Sequence, residues 1–201
     1  MPDIPFHIRP VRTSGDLDAI TQLFDAYAST LGIDLSYQDF ATELTTLPGK
    51  YAPPSGALLL ACGGDGAPAH VSEKWTPVFQ EGHAQTKEPR ARPESFKSGR
   101  ALGCVGLRPI TPGGCCEMKR LYVAPAARGL GLGRALVEAV IGEAVRIGYC
   151  EMRLDTLPTM AEAISLYRAA GFAPIAPYYD TPIAGTLFFA RALGRARATS
   201  R

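Results

Sequence analysis

The sequence predicts an α/β fold in which helices flank one mixed sheet. Three observations carry this. Runs of strand character and runs of helical periodicity alternate along the chain in the order β, α, α, β, β, β, α, β, α, β, β. Two strand runs are joined by Pro112-Gly113-Gly114, which reads as a hairpin. Finally, RLYVAPAARGLGLGRALVEAV, residues 120–140, passes from a strand through three alternating glycines directly into a helix.

Taken in order, 6–12 (FHIRPVR) is a short opening strand. Ser14 is a candidate N-cap with Asp16 in the first turn. Leu17, Ile20, Leu23, Phe24 and Tyr27 recur at helical spacing, so 15–31 is an amphipathic helix that Gly32 ends. A second helix spans 36–46 and stops before Pro48-Gly49. Pro53-Pro54 leads stiffly into a buried strand at 57–62. Residues 101–110 and 115–123 form the hairpin. The helix after the glycines runs to Ile147, where Gly148 caps it. A strand at 150–155 turns Met152 and Leu154 to one side. Pro158 or Thr159 opens a helix that ends at Ala170-Gly171. Segments 172–175 and 185–193 close the sheet, and the basic tail 194–201 frays.

Between 63 and 100 the character changes. Small and charged residues dominate, with Trp75, Val78 and Phe79 scattered without period. So long a stretch without periodicity inside one domain reads as a disordered insertion. The alternative is that Trp75 and Phe79 fold over the active site. The whole of 1–201 is then a single domain with an insertion and a tail.

The totals exclude several classes. The net charge of +2 over 201 residues asks for neither nucleic acid nor a membrane surface. No apolar run is long enough to span a bilayer, and the N-terminus lacks a signal-type segment. The five cysteines show no C-x-x-C spacing, and Cys115-Cys116 are adjacent. That is poor geometry for a disulfide or a metal clip, so reduced thiols in a cytoplasmic chain are expected, with no metal.

The glycine loop has a physical use. Glycines just before a helix expose several backbone N–H groups near the positive end of the helix dipole, which is an anion site. Arg128 and Arg134 flank it and add charge-assisted contacts. A nucleoside-triphosphate loop would need G-x-x-x-x-G-K-[ST], and no Lys-Ser or Lys-Thr follows. A dinucleotide loop would need G-x-G-x-x-G/A. The third small residue would fall on Leu136 or Arg134, depending on register.

Arg128-x-x-Gly131-x-Gly133 resembles instead the acyl-CoA pyrophosphate loop of the GNAT superfamily of N-acetyltransferases, [QR]-x-x-G-x-[GA]. Leu121-Tyr122-Val123-x-Pro125 is similar to that family's splayed strand and turn. Ala163-Ile164-Ser165-Leu166-Tyr167, leading to Gly171-Phe172, is similar to its second signature. The element order matches over 6–193. The resemblance implies a mixed, mostly antiparallel six- to seven-stranded sheet flanked by helices. It also implies direct transfer of an acetyl group from acetyl-CoA to an amine in a ternary complex.

It further implies roles. Leu121, Tyr122 and Val123 would hold the pantetheine arm as an added strand would, the Val123 N–H taking the thioester carbonyl. Arg128, Gly129, Leu130, Gly131, Leu132, Gly133 and Arg134 would hold the pyrophosphate. An amine with pKa about 10.4 must lose a proton before it attacks, so a base is needed. Glu117, six residues before Val123, is the candidate, because a strand glutamate at this offset acts through water in several family members. By alternation 117, 119, 121 and 123 share a face until the strand splays. Tyr167 stands where the family's tyrosine protonates the departing thiolate. The usual asparagine contact to CoA is missing; Thr156 or Thr159 is a candidate substitute. Tyr27, Tyr37, Tyr51, Tyr178 and Tyr179 are available to line an acceptor pocket. A small amine or amino-acid-like acceptor is expected first, a protein amine second, with a homodimer left open. The competing reading is an acyl-CoA-binding module without catalysis.

Overall fold

The structure is a computed structural model that describes residues 6–33, 35–63 and 100–194. The elements are β1 (Phe6–Pro10), α1 (Ser14–Leu31), α2 (Phe40–Thr45), β2 (Ala57–Gly63), β3 (Ala101–Ile110), β4 (Cys115–Val123), α3 (Leu132–Ile147), β5 (Glu151–Thr156), α4 (Ala161–Ala169), β6 (Ala173–Pro174) and β7 (Leu187–Ala192). The seven strands form one sheet in the order β1-β2-β3-β4-β5-β7-β6. All neighbours are antiparallel except β4 and β5, so the expected mixed, mostly antiparallel sheet is what forms.

Several boundaries differ from those read in the sequence. Thr13, not Ser14, caps α1: its hydroxyl accepts from the Asp16 N–H, and Asp16 reaches back to the Thr13 N–H. This is a capping box, with Asp in place of the usual Glu. Asp16 also takes both Arg9 guanidinium nitrogens, at 2.8 and 2.6 Å. The expected helix at 36–46 is split. A 3₁₀ turn at Ser36–Gln38 meets Asp39, whose φ of +55 interrupts the helical path before α2. α4 begins at Ala161, after Pro158 and Thr159, and the first closing strand is only Ala173–Pro174. The expected insertion lies, from 64 to 99, outside the described residues, as does the tail from 195. Its flanks meet: the Gly63 N–H donates to the Arg100 carbonyl at 2.9 Å.

The sheet separates two cores. One holds Val105, Leu107, Cys116, Met118, Met152 and Leu154 under α3 and α4. The other packs Ile20, Leu23 and Phe24 of α1 on Leu58, Leu60, Cys104 and Tyr122. β2, whose seven residues are all buried, has apolar side chains on both faces. That is why its sequence is a continuous apolar run rather than an alternation.

Candidate active site

β4 and β5 run parallel but pair at only three positions, from Cys115↔Glu151 to Glu117↔Arg153. Beyond that they part as a fork, and the β4 edge facing β5 has no strand partner among the described residues. β3 stays paired on the other side of β4 as far as Gly103↔Val123.

Arg120 sets the orientation of the fork. It is the extra residue of a β-bulge: Cys104 opposes Tyr122, but Gly106 opposes Lys119, and Arg120 has φ +58. The expected common face for 117, 119, 121 and 123 is therefore corrected. Glu117 and Lys119 lie on the α1–α2 side, whereas Leu121 and Val123 pack into the α3 core with Cys116 and Met118. The kink also sends Arg120 to Glu43, Nε to Oε1 at 2.9 Å. Tyr51 Oη donates to the same oxygen at 2.9 Å. The Arg120 guanidinium lies 4.8 Å from the Phe40 ring centroid and 5.9 Å from that of Tyr27. This buried cluster was invisible in the sequence, because its partners stand 77 positions apart and only the bulge brings them together. Gly106 makes room for it: a Cβ there would sit 2.7 Å from Tyr51 Cε1.

Glu117 is fully buried. Arg108 Nε donates to its Oε2 at 2.6 Å, and Tyr178 Oη donates to its Oε1 at 2.6 Å. Burial, then the Glu117 charge, pushes the pKa of the Tyr178 hydroxyl far above its ordinary value, so it stays a donor. Tyr178 in turn packs edge-on against Tyr179 and Phe188, with Arg153 over its ring.

Tyr167 projects from α4 into the fork. It is buried on the α3 side and packs edge-on against Phe172. It lines a cavity together with Tyr27, Lys119, Leu121, Asp155 and Leu157. Burial, followed by the nearby Tyr27 and Asp155, raises its pKa above that of a free phenol. Lys119 Nζ bridges the fork to Asp155 Oδ1 at 2.7 Å. Glu117 and Tyr167 thus approach from opposite sides of the sheet, and Glu117 does not line this cavity. Of the tyrosines considered for an acceptor pocket, Tyr27 lines the fork cavity. Tyr179 lines an adjoining one with Arg108, Lys119 and Asp180. Tyr51 is core, Tyr178 covers Glu117, and the side chain of Tyr37 lies outside what is described. Thr156 lines the cavity with its hydroxyl 3.6 Å from Met160 Sδ, while Thr159 is exposed.

The glycine loop lies between β4 and α3. Gly129 and Gly131 both have φ +77, a left-handed conformation that glycine adopts without strain. A Cβ at either would meet nothing within 4 Å. Steric crowding by the chain itself therefore does not demand glycine there; backbone conformation does. Gly131 caps α3, and the first intrahelical bond is Ala135 N–H to the Gly131 carbonyl. The N–H groups of Leu132, Gly133 and Arg134 are thus left to an outside acceptor. Arg128 is exposed and donates from Nε to the Val123 carbonyl at 3.3 Å, and Arg134 is exposed beside Glu138. These groups fit a pyrophosphate.

Residues 68–172, just over half of the chain, match the acetyltransferase (GNAT) family, and this span takes in the fork, the glycine loop and Tyr167. The chain is an N-acetyltransferase of the GNAT family. It is 36% identical over 181 residues to an uncharacterised N-acetyltransferase of Schizosaccharomyces pombe, covering 90% of this chain and 91% of the relative. It is 40% identical over 90 residues to the IAA acetyltransferase of Azospirillum brasilense, covering 43% and 59%. The GNAT-family acetyltransferase structure from Staphylococcus aureus superposes with a TM-score of 0.65, covering 94% of this chain and all of the other at 16% identity. That last likeness speaks for the GNAT fold alone. Membership of the family implies acetyl-CoA as donor. Among the described residues no cluster of side chains could hold a metal ion, and no helix is long and apolar enough to cross a membrane.

Proposed function

We propose that this GNAT enzyme moves an acetyl group from acetyl-CoA to a primary amine of a small molecule or amino-acid-like acceptor, directly and without a covalent enzyme intermediate. The observation that supports this most is the fork itself. An unpaired β4 edge and a buried tyrosine meet at one cavity, and a glycine-capped helix start follows β4. The partial match to an IAA acetyltransferase favours a small-molecule acceptor over a protein one.

When bound, acetyl-CoA supplies an activated acyl group. Leu121, Tyr122 and Val123 offer their backbone to its pantetheine arm; the Tyr122 side chain is committed to the core beside Tyr27. Arg128 and the loop from Gly129 to Gly133, with Arg134, hold the pyrophosphate. The Val123 N–H donates to the carbonyl oxygen that gains charge. Glu117 is the base, reached through water or through the Tyr178 hydroxyl that already bonds it. Tyr167 donates the proton that leaves with the CoA thiol. Its raised pKa keeps it protonated, and the same burial raises the proton affinity of a thiolate beside it.

The test is the acceptor-dependent release of CoA thiol by the protein and by Tyr167→Phe. Loss of turnover in the variant with CoA affinity kept near normal supports the assignment. A large loss of CoA affinity in that variant contradicts it.

A further inference from the structure

We propose that the Lys119–Asp155 pair is the subsite for the acceptor's amine, and that the acceptor is a primary amine carried on an apolar body. This rests on the fork being the site of acetyl transfer.

The pair stands two residues beyond the last β4–β5 pairing on each strand, where the fork opens. Its two side chains are 8% and 12% exposed. It shares a cavity with Tyr167 and Leu121. Of the carboxylates beside the fork, Glu117 and Glu43 are already bonded through both oxygens. Both oxygens of Glu117 are taken, by Arg108 and Tyr178. Both oxygens of Glu43 are taken by Arg120, with Tyr51 added on one. Asp155, the carboxylate that lines the fork cavity itself, has an oxygen, Oδ2, without a donor among the described residues. An amine N–H entering the cavity has that acceptor to meet.

The charge balance then selects the form of the amine. Lys119 already neutralises Asp155. A bound ammonium would set two cations on one carboxylate, whereas a neutral amine donates an N–H at no such cost. A neighbouring like charge lowers an amine's pKa. The pair therefore holds the acceptor as the free amine, which is the form that attacks. The other charged groups facing it do not overturn this. Arg108 of β3 and Arg120 of β4 are matched by Glu117 and Glu43. Tyr27 of α1 and Tyr167 of α4 are phenols. From the β6–β7 connection, Asp180 and Tyr179 line the adjoining cavity with Lys119 and do not line the fork cavity where the amine meets Asp155.

The rest of the lining describes the body of the acceptor. Leu31, Ile33 and Leu35 follow from the end of α1, and Leu157 and Met160 from the β5–α4 connection. Among the described residues the cavity's two cations, Lys119 and Arg120, are each paired with a carboxylate, so an amino acid's carboxylate finds no unpaired cation among them. An alkyl or aryl primary amine suits this lining better than a zwitterion.

The test compares alkyl and aryl primary amines with amino acids of matched size, across pH, for the protein, Asp155→Asn and Lys119→Met. Apolar amines are expected to give kcat/KM at least ten-fold above the amino acids. Asp155→Asn should raise the amine KM at least ten-fold and leave the acetyl-CoA KM within two-fold. Lys119→Met should move the acid limb of kcat up by about one pH unit, since the like charge beside the bound amine is gone. Preference for amino acids, an unchanged amine KM in Asp155→Asn, or an unmoved limb each overturns the proposal. Calorimetric titration of the amines into the CoA-bound protein reads binding independently of turnover. Ile33→Trp, which leaves the pair intact and fills the space for the body, should weaken that binding. If Asp155→Asn or Lys119→Met fails to fold, this titration decides: unaltered amine binding by Ile33→Trp, or no amine binding by the unsubstituted protein, overturns the proposal. Failure of the unsubstituted protein to bind CoA would instead remove the fork reading on which it rests.

Discussion

Glu117 and Tyr167, the proposed base and acid, stand on opposite faces of the sheet, and their surroundings differ accordingly. Glu117 has both carboxylate oxygens bonded and no exposure, so as the proposed base it needs a relay. Glu117→Gln is expected to lower kcat by roughly 10²-fold or more while leaving CoA binding intact, as loss of a general base does. Steady-state kinetics with a CoA titration would check this; an unchanged kcat would remove Glu117 from the mechanism. Tyr178→Phe deletes the hydroxyl on Glu117 Oε1. If that hydroxyl is the relay, kcat should fall nearly as far, whereas water-mediated transfer predicts a much smaller loss. Glu43 is a different case, because its pairing with Arg120, Tyr51 and Lys50 is structural. Burial disfavours its charge, but Arg120 outweighs that and holds the carboxyl below its ordinary pKa. Glu43→Gln leaves a buried guanidinium without its counter-charge and should cost about 3–5 kcal/mol, measured by denaturant unfolding.

At the scale of elements, the glycine loop and α1 give the clearest expectations. Gly131→Glu would force a side chain into the left-handed region at φ +77 and place a carboxylate at the helix start. CoA binding should be abolished; tight binding by this variant would refute the loop's assignment. At the start of α1, burial disfavours charge on Asp16, yet Arg9 and the N–H groups of Arg12 and Thr13 hold its carboxyl down at about 2, against an ordinary 3.8. A depressed folded-state pKa contributes stability that is complete above the ordinary value and is lost as pH falls through about 2. Asp16→Asn should therefore lower stability near neutral pH and flatten its decline below pH 4, as read by thermal unfolding. The strands and long helices were legible because hydrophobic period and glycine punctuation are local signals. The bulge at Arg120 was not: nothing in Lys119-Arg120-Leu121 marks an extra residue, and its left-handed backbone is held by the distant Glu43, Tyr51 and Phe40. One undetected residue of register reversed the expected face of everything before it.

At the scale of the molecule, the family was legible from two short motifs, while the acceptor side was not. The proposed pyrophosphate loop and the α4 signature around Tyr167 are each a short local run of sequence. The proposed acceptor cavity draws on the end of α1, β4, β5 and α4, and its carboxylate, Asp155, is recognisable only once the fork brings it to Lys119. In the sequence Asp155 is simply an acid at a strand end. The central claim is that the fork is where an acetyl group passes from acetyl-CoA to an amine. Thiol release from acetyl-CoA, measured against a panel of amines, amino acids and short peptides with Tyr167→Phe in parallel, tests it most directly. Release that depends on a small amine, and that the variant loses while still binding CoA, is the predicted result. CoA binding without release for any acceptor, or full turnover by Tyr167→Phe, would contradict it.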